Sequence, residues 1–248
     1  MELMDKVAMI TGASSGIGAA TAKALAAEGV KVALLARRRE PMEATAGEIG
    51  DSGEVLIQPT DLRDEAALLA AFKAVDERFG RLDILINNAG LARPVSLHDG
   101  ESEAFREMWE VNVHALTIAT REALARFPEE GGHLVNISSM SGHRVPPGGG
   151  GAFYSATKFA VRALTEGVRA ELRARKSRSR VTAVSPGFVE TNFFNAMYGD
   201  PARGQEVLDR FDKMLQPEDI AAQILHTLKA PPHVSIHDIL LRPTEQSS

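Results

Sequence analysis

Two hydrophobic periods alternate along the chain. Short apolar runs rich in β-forming residues occur at 7–11, 31–36, 55–58, 82–86 and 134–137. Between them, apolar residues recur every three or four positions at 19–27, 40–49, 65–79 and 105–127. The first pattern suits buried strands and the second amphipathic helices. The second half keeps the rhythm, with a helix predicted at 153–175, a strand at 180–184, a helix at 217–228 and a last strand at 237–241. Alternating strands and helices, with apolar strands, predict an α/β fold: a doubly wound parallel sheet covered by helices on both faces. A ligand crevice is then expected beyond the carboxyl ends of the strands.

Three segments depart from this rhythm. Residues 188–210 show little periodicity and carry Phe193, Phe194, Met197 and Tyr198. They read as a substrate lid or, more plainly, as a surface loop with a small satellite core. Residues 148–151 are four consecutive glycines after Pro146-Pro147, which predicts a loop. The basic run at 174–180 reads as a solvated helix end. No Gly/Ser tract or Pro-rich spacer divides the chain, so residues 1–248 read as one domain.

Composition narrows the function classes. Of the 248 residues, 44% are hydrophobic and 25% charged, which fits a globular chain. The net charge of −5 argues against a broad nucleic-acid face. With no cysteine, disulfides, thiolate nucleophiles and Cys-ligated zinc are excluded. Seven scattered histidines form no H-E-x-x-H pattern, so no metal site is expected. The longest uncharged stretch, 7–22, is 16 residues long and broken by Gly12, Gly16 and Gly18, too short for a membrane span. Glu2 and Asp5 stand where a secretory leader would carry cations, and a cytoplasmic location is expected.

The candidate chemistry clusters at predicted strand ends. After the first strand comes Thr11-Gly12-Ala13-Ser14-Ser15-Gly16-Ile17-Gly18. Glycines there let the backbone approach a pyrophosphate at a helix N-terminus, though a plain strand–helix turn would also use them. The second strand ends in Ala36, followed by Arg37 and Arg38. An acidic residue here would accept from a ribose 2′-hydroxyl; guanidinium forks instead suit a 2′-phosphate and favour NADP(H), with a solvated helix start as the plain alternative. Asp61, beside Leu62 after the third strand, can accept from an adenine amino group or cap the next helix. Asn87-Asn88-Ala89-Gly90 after the fourth strand suits close cofactor packing or a turn. Tyr154 and Lys158 are spaced i and i+4 on a predicted helix and so share a face. A nearby ammonium favours the phenolate and tunes the phenol for proton exchange. Ser138-Ser139, after the strand at 134–137, can supply a hydroxyl to hold a carbonyl oxygen. His143 and Arg144 lie near the expected crevice, either against substrate or in loop hydrogen bonds.

Together these motifs, with Asn112 and Pro186-Gly187, resemble the short-chain dehydrogenase/reductase family, in order over nearly the whole chain. The resemblance implies a Rossmann-type domain, a nicotinamide cofactor and a Ser–Tyr–Lys–Asn site. In that site Tyr154 is the proton donor or acceptor. Lys158 lowers its pKa and binds the nicotinamide ribose, Ser139 binds the substrate oxygen, and Asn112 supports a water-mediated proton path. Pro186, Gly187, Val189 and Thr191 line the nicotinamide. The family's usual serine stands 13 residues before the tyrosine, which would select Ser141; Ser139, 15 before it, is preferred because it directly follows the strand. The longer loop resembles a subgroup of NADP-linked carbonyl reductases, in agreement with Arg37 and Arg38. The resemblance further implies a small carbonyl or alcohol substrate, no nucleic-acid or membrane partner, and a homo-oligomer, dimer or tetramer, joined through 105–127 and 153–175. A non-catalytic NADP-binding sensor or scaffold and a Rossmann methyltransferase are the competing readings.

Overall fold

The computed structural model describes residues 2–147, 150–209 and 212–246. Gly148 and Gly149 of the glycine run, and Arg210 at the end of the expected lid, lie outside these described residues. Among the described residues a single sheet holds parallel strands β1 (Val7–Thr11), β2 (Lys31–Ala36), β3 (Val55–Pro59), β4 (Ile84–Asn87), β5 (His133–Ile137), β6 (Arg180–Pro186) and β7 (Asp238–Leu241), in the order β3-β2-β1-β4-β5-β6-β7. The helices are α1 (Gly16–Ala27), α2 (Arg39–Ile49), α3 (Glu65–Phe79), α4 (Ser102–Trp109), α5 (Ala115–Arg126), α6 (Ala152–Ala174), α7 (Phe193–Tyr198), α8 (Pro201–Leu208) and α9 (Pro217–Lys229). This is the doubly wound, Rossmann-type sheet that the alternation predicts. No helix among the described residues is long and apolar enough to cross a membrane.

The strand period of two sorts β1 between two cores. Ala8 and Ile10 pack with Leu25 of α1 and Ile220, Ile224 and Leu228 of α9. Val7 and Met9 face the other way, onto Leu68 and Phe72 of α3 and Ile118 of α5. With both faces covered, the strand has no polar side. Each fully buried Leu, Ile or Phe contributes roughly 1.5–3 kcal/mol relative to exposure. The strand order reverses between β1 and β4, so the crossovers on either side diverge and leave a crevice at the carboxyl ends of these two strands.

Four local expectations change. The strand predicted at 82–86 is Ile84–Asn87; just before it, the buried Asp83 carboxylate accepts from the Val7 N–H at 2.9 Å and is clamped by Lys6 and Arg81. The helix predicted at 105–127 is interrupted by a π turn, Glu110–His114, which separates α4 from α5. The aperiodic stretch 188–210 contains two short helices, α7 and α8. Gly199 ends α7 with φ +64°, Asp200 caps α8 through the Ala202 N–H, and Pro201 occupies its first turn. The basic run is not wholly solvated: Arg180 is buried and donates to the carbonyls of Leu228, Ala230, Pro231 and Val234 at the end of α9.

Candidate active site

The loop after β1 is shaped for close backbone approach. Gly12 and Gly16 have φ of +68° and +54°, a region that favours glycine. A Cβ on Gly12 would stand 2.9 Å from Ala89 Cα, and one on Gly18 would stand 2.6 Å from Asn88 Nδ2. Asn88 braces the loop by donating to the carbonyls of Thr11 (2.9 Å) and Gly12 (3.2 Å). The N–H groups of Asn88 and Ala89 both donate to Thr11 Oγ1 at 3.1 Å. Ser15 stands at the N-cap of α1 without a side-chain bond to the first turn, so the helix N–H groups beside Ser14 and Ser15 remain available to an anion. Ile17 packs against the core on the same turn.

At the end of β2, Arg37 and Arg38 are exposed and form no ion pair among the described residues. Asp61 is turned into a two-pronged pair with Arg63 (Nε–Oδ1 3.0 Å, Nη2–Oδ2 2.7 Å), which lowers its pKa to about 2. It does not cap α3; Asp64 does, accepting from the Ala67 N–H at 3.2 Å. Leu62 lines a small recess with Thr11, Ala89 and Val111.

The second group of residues converges at the end of β5. The helical face of α6 brings Lys158 Nζ to 5.9 Å from the centre of the Tyr154 ring. Lys158 is buried and donates to the Ile137 carbonyl at 2.9 Å. Of the nearby serines, Ser139 is the one whose hydroxyl acts on the Tyr154 phenol, drawing its pKa down. Its Oγ also accepts from the Ser141 N–H at 3.1 Å, whereas the buried Ser138 hydroxyl is turned onto the Lys158 carbonyl. Burial pushes the Tyr154 phenol up to about 12, with the Ser139 hydroxyl pulling the other way. Burial also pushes the Lys158 amine down to about 8. Lys158 has no part in this shift: the lowering of the Tyr154 pKa expected from it is absent here, and loss of water around the phenol sets the direction.

Asn112 sits on the π turn, with its amide between Leu91 and Thr157. Oδ1 accepts from the Leu91 N–H and Nδ2 donates to the Leu91 carbonyl, both at 2.8 Å. Nδ2 also reaches Thr157 Oγ1 at 3.0 Å, and Thr157 donates to the Tyr154 carbonyl at 2.7 Å. A Cβ on Gly90 would stand 3.3 Å from Lys158 Nζ and 3.4 Å from Asn112 Oδ1, so Gly90 keeps open the space between them.

The segment after β6 closes the crevice. Pro186 ends the strand, Val189 is buried, and Thr191 would lie 3.0 Å from a Cβ on Gly16. Phe193 of α7 faces Tyr154 with ring centres 5.9 Å apart, and Phe194 stacks on Phe188 at 5.5 Å. His143 points away from this group toward Asp238, 3.4 Å distant.

The glycine loop follows the carboxyl end of β1, and the tyrosine–lysine helix is held at the carboxyl end of β5, on the same edge of the parallel sheet. The family model for short chain dehydrogenase matches residues 6–201. The chain belongs to the short-chain dehydrogenase family. It is 47% identical to the bovine "Dehydrogenase/reductase SDR family member 11", over 98% of this chain and 97% of that one. An alcohol dehydrogenase from the archaeon Thermococcus sibiricus, solved with 5-hydroxy-NADP, superposes with a TM-score of 0.85 at 32% identity, covering 98% of each chain. A Burkholderia phymatum short-chain dehydrogenase/reductase solved with NAD gives 0.87 at 26% identity, covering 97% of this chain and 90% of that one. As a short-chain dehydrogenase, the protein is an oxidoreductase enzyme.

Sequence reasoning misses some residues that shape the crevice. Arg63 takes the carboxylate of Asp61. Arg93 pairs with Glu107 (2.9 Å) and donates to the Ala196 carbonyl at 3.3 Å, tying α7 to α4. The Arg93 pairing spans 14 residues and has no local pattern, whereas the Asp-x-Arg spacing of 61 and 63 is local and could have pointed to the first. The Asp-Pro step at 200–201 is likewise a readable helix start.

Proposed function

We propose that this short-chain dehydrogenase interconverts a ketone and a secondary alcohol with NADP(H), Tyr154 exchanging the proton with the substrate oxygen. The observation that carries the reading is the convergence of the Tyr154 hydroxyl, the Ser139 hydroxyl and the Lys158 amine beside the braced glycine loop. That loop fits a pyrophosphate, because Ser15 leaves the first-turn N–H groups of α1 uncapped at the end of the braced loop. Arg37 and Arg38 would hold the 2′-phosphate. Asp61, once released from Arg63, would take the adenine amino group. Pro186, Gly187, Val189 and Thr191 would line the nicotinamide, and Lys158 would bind its ribose. The bound cofactor supplies or accepts the hydride.

The protein's own contribution is protonic and positional. Ser139 donates a hydrogen bond to the substrate oxygen while its Oγ is held by the Ser141 N–H. Burial keeps Tyr154 protonated, which suits proton donation during reduction. In the reverse direction the Lys158 ammonium offsets the charge of the phenolate. Asn112, fixed by Leu91 and Thr157, supports the water path by which the proton is replaced. Phe188, Phe193 and Phe194 favour a substrate with an apolar part, and α7–α8 act as its lid. Exposed Trp109 of α4 and Phe159 of α6 support self-association, as a dimer or tetramer, through these helices.

A panel of diketones, steroids, retinoids and hydroxy acids, followed by consumption of NADPH, tests this reading. Turnover of an apolar ketone is expected. Binding of NADPH with no carbonyl reduced would favour a sensor instead.

A further inference from the structure

Gln246 lies five residues beyond the end of β7 and is buried, with 6% of its surface exposed. A buried primary amide is costly unless its dipole is used. Here Oε1 accepts from the Phe188 N–H at 3.1 Å, and Nε2 donates to Met140 Sδ at 3.2 Å. A thioether is a weak acceptor, so the Phe188 bond is the stronger of the two. Its own N–H donates to the Pro243 carbonyl at 3.0 Å, which turns the tail back over the sheet edge.

The two partners of this amide belong to different walls of the crevice. Met140 directly follows Ser139, and Phe188 directly precedes Val189. Gly187 makes room for the contact: a Cβ there would overlap Gln246 Oε1 and stand 2.8 Å from Arg242 Cβ. Gly187 is not among the glycines with positive φ, so its missing side chain answers to space rather than to backbone conformation. The Gly187 N–H is held at 2.7 Å by the Leu241 carbonyl, which fixes the same segment to the end of β7.

We infer that Gln246 is a positioning residue that joins the serine loop to the segment after β6, holding the half of the crevice that would receive the nicotinamide. This rests on the proposed assignment of 186–191 to the nicotinamide. It predicts that loss of the amide weakens only the nicotinamide end of cofactor binding.

The experiment compares wild type, Gln246→Ala and Gln246→Glu by calorimetric titration. NADPH is set against adenosine 2′,5′-bisphosphate, which has the adenosine half alone, and NADH against ADP-ribose. In Gln246→Ala the dissociation constant for NADPH should rise about tenfold, the scale of one lost hydrogen bond. That for the bisphosphate should change less than twofold. Gln246→Glu keeps an oxygen opposite the Phe188 N–H and should recover most of the affinity. Equal weakening of both ligands would mark Gln246 as a general packing residue and overturn the inference, as would unchanged affinity for both. If wild type prefers NADH, the contrast is read on NADH and ADP-ribose, and the NADP assignment fails separately. A wild type that binds neither dinucleotide would overturn both.

Discussion

Replacing Lys158 with Met should separate the stability of this fold from its chemistry. The amine is buried and its pKa is pushed down to about 8, against about 10.4 for an unfolded chain. Holding the charge inside therefore costs about 3 kcal/mol at neutral pH. The bond to the Ile137 carbonyl returns part of that, since a hydrogen bond to a charged group contributes about 1.5–3 kcal/mol. The net effect of Lys158→Met at pH 7 is accordingly small, but its pH dependence is not. Below pH 8 both folded and unfolded wild type hold the proton and the penalty is complete. Between pH 8 and about 10.4 the folded form has released it while the unfolded chain still binds it, so wild type gains stability as pH rises. The thioether of the variant has no such proton. From pH 7 to pH 10, wild type should gain about 2.5 kcal/mol relative to the variant. Urea unfolding of both proteins at the two pH values measures this directly, and taking the difference cancels every other titrating group that the substitution leaves alone. Turnover of the variant should fall by roughly 10²–10⁴-fold. A stability gap that is the same at pH 7 and pH 10 would refute the claim that this amine is held charged against its surroundings.

Two further outcomes follow from the same geometry. His133 is buried with Nε2 2.9 Å from Thr182 Oγ1, whose own proton goes to the Ile236 carbonyl, so the ring is neutral and donates from Nε2. Burial pushes its pKa down to about 3, so stability is complete above pH 6.5 and lost as pH falls toward 3. Wild type should lose about 2.5 kcal/mol by pH 4.5 that His133→Gln does not, as read by urea midpoints. Arg37→Ala combined with Arg38→Ala should raise the dissociation constant of NADPH by about 10–100-fold and leave that of NADH within a few-fold. An unchanged NADPH-to-NADH ratio would remove the phosphate from these side chains.

Much of the fold was legible because both periods are strong. The ranges of β1, β2 and α3 agree with the pattern residue for residue, since both strands are mostly apolar runs and the helix keeps its spacing. The pattern failed where a polar side chain took over a backbone role. The Asp83 carboxylate takes the Val7 N–H just before β4, and Asn112 reaches Leu91 from a π turn inside what periodicity reads as one helix. Helical spacing cannot reveal a single inserted residue, because the apolar positions on either side still recur every three or four. Tyr154 and Lys158 were readable because their relation is local, one turn of one helix. The action of Ser139 on Tyr154 depends on how a loop with two extra residues folds, and the bonds from Gln246 to Phe188 and Met140 span 58 and 106 residues. Long-range pairings of this kind leave no periodic trace.

The claim at the centre of this account is that the phenol of Tyr154 moves the proton. Tyr154→Phe removes one oxygen and keeps the ring that faces Phe193. The decisive measurement is turnover of a reducible ketone by this variant, alongside its affinity for NADPH. The account predicts NADPH affinity within a few-fold of wild type and turnover lower by roughly 10²–10⁴-fold. Turnover close to that of wild type would contradict it.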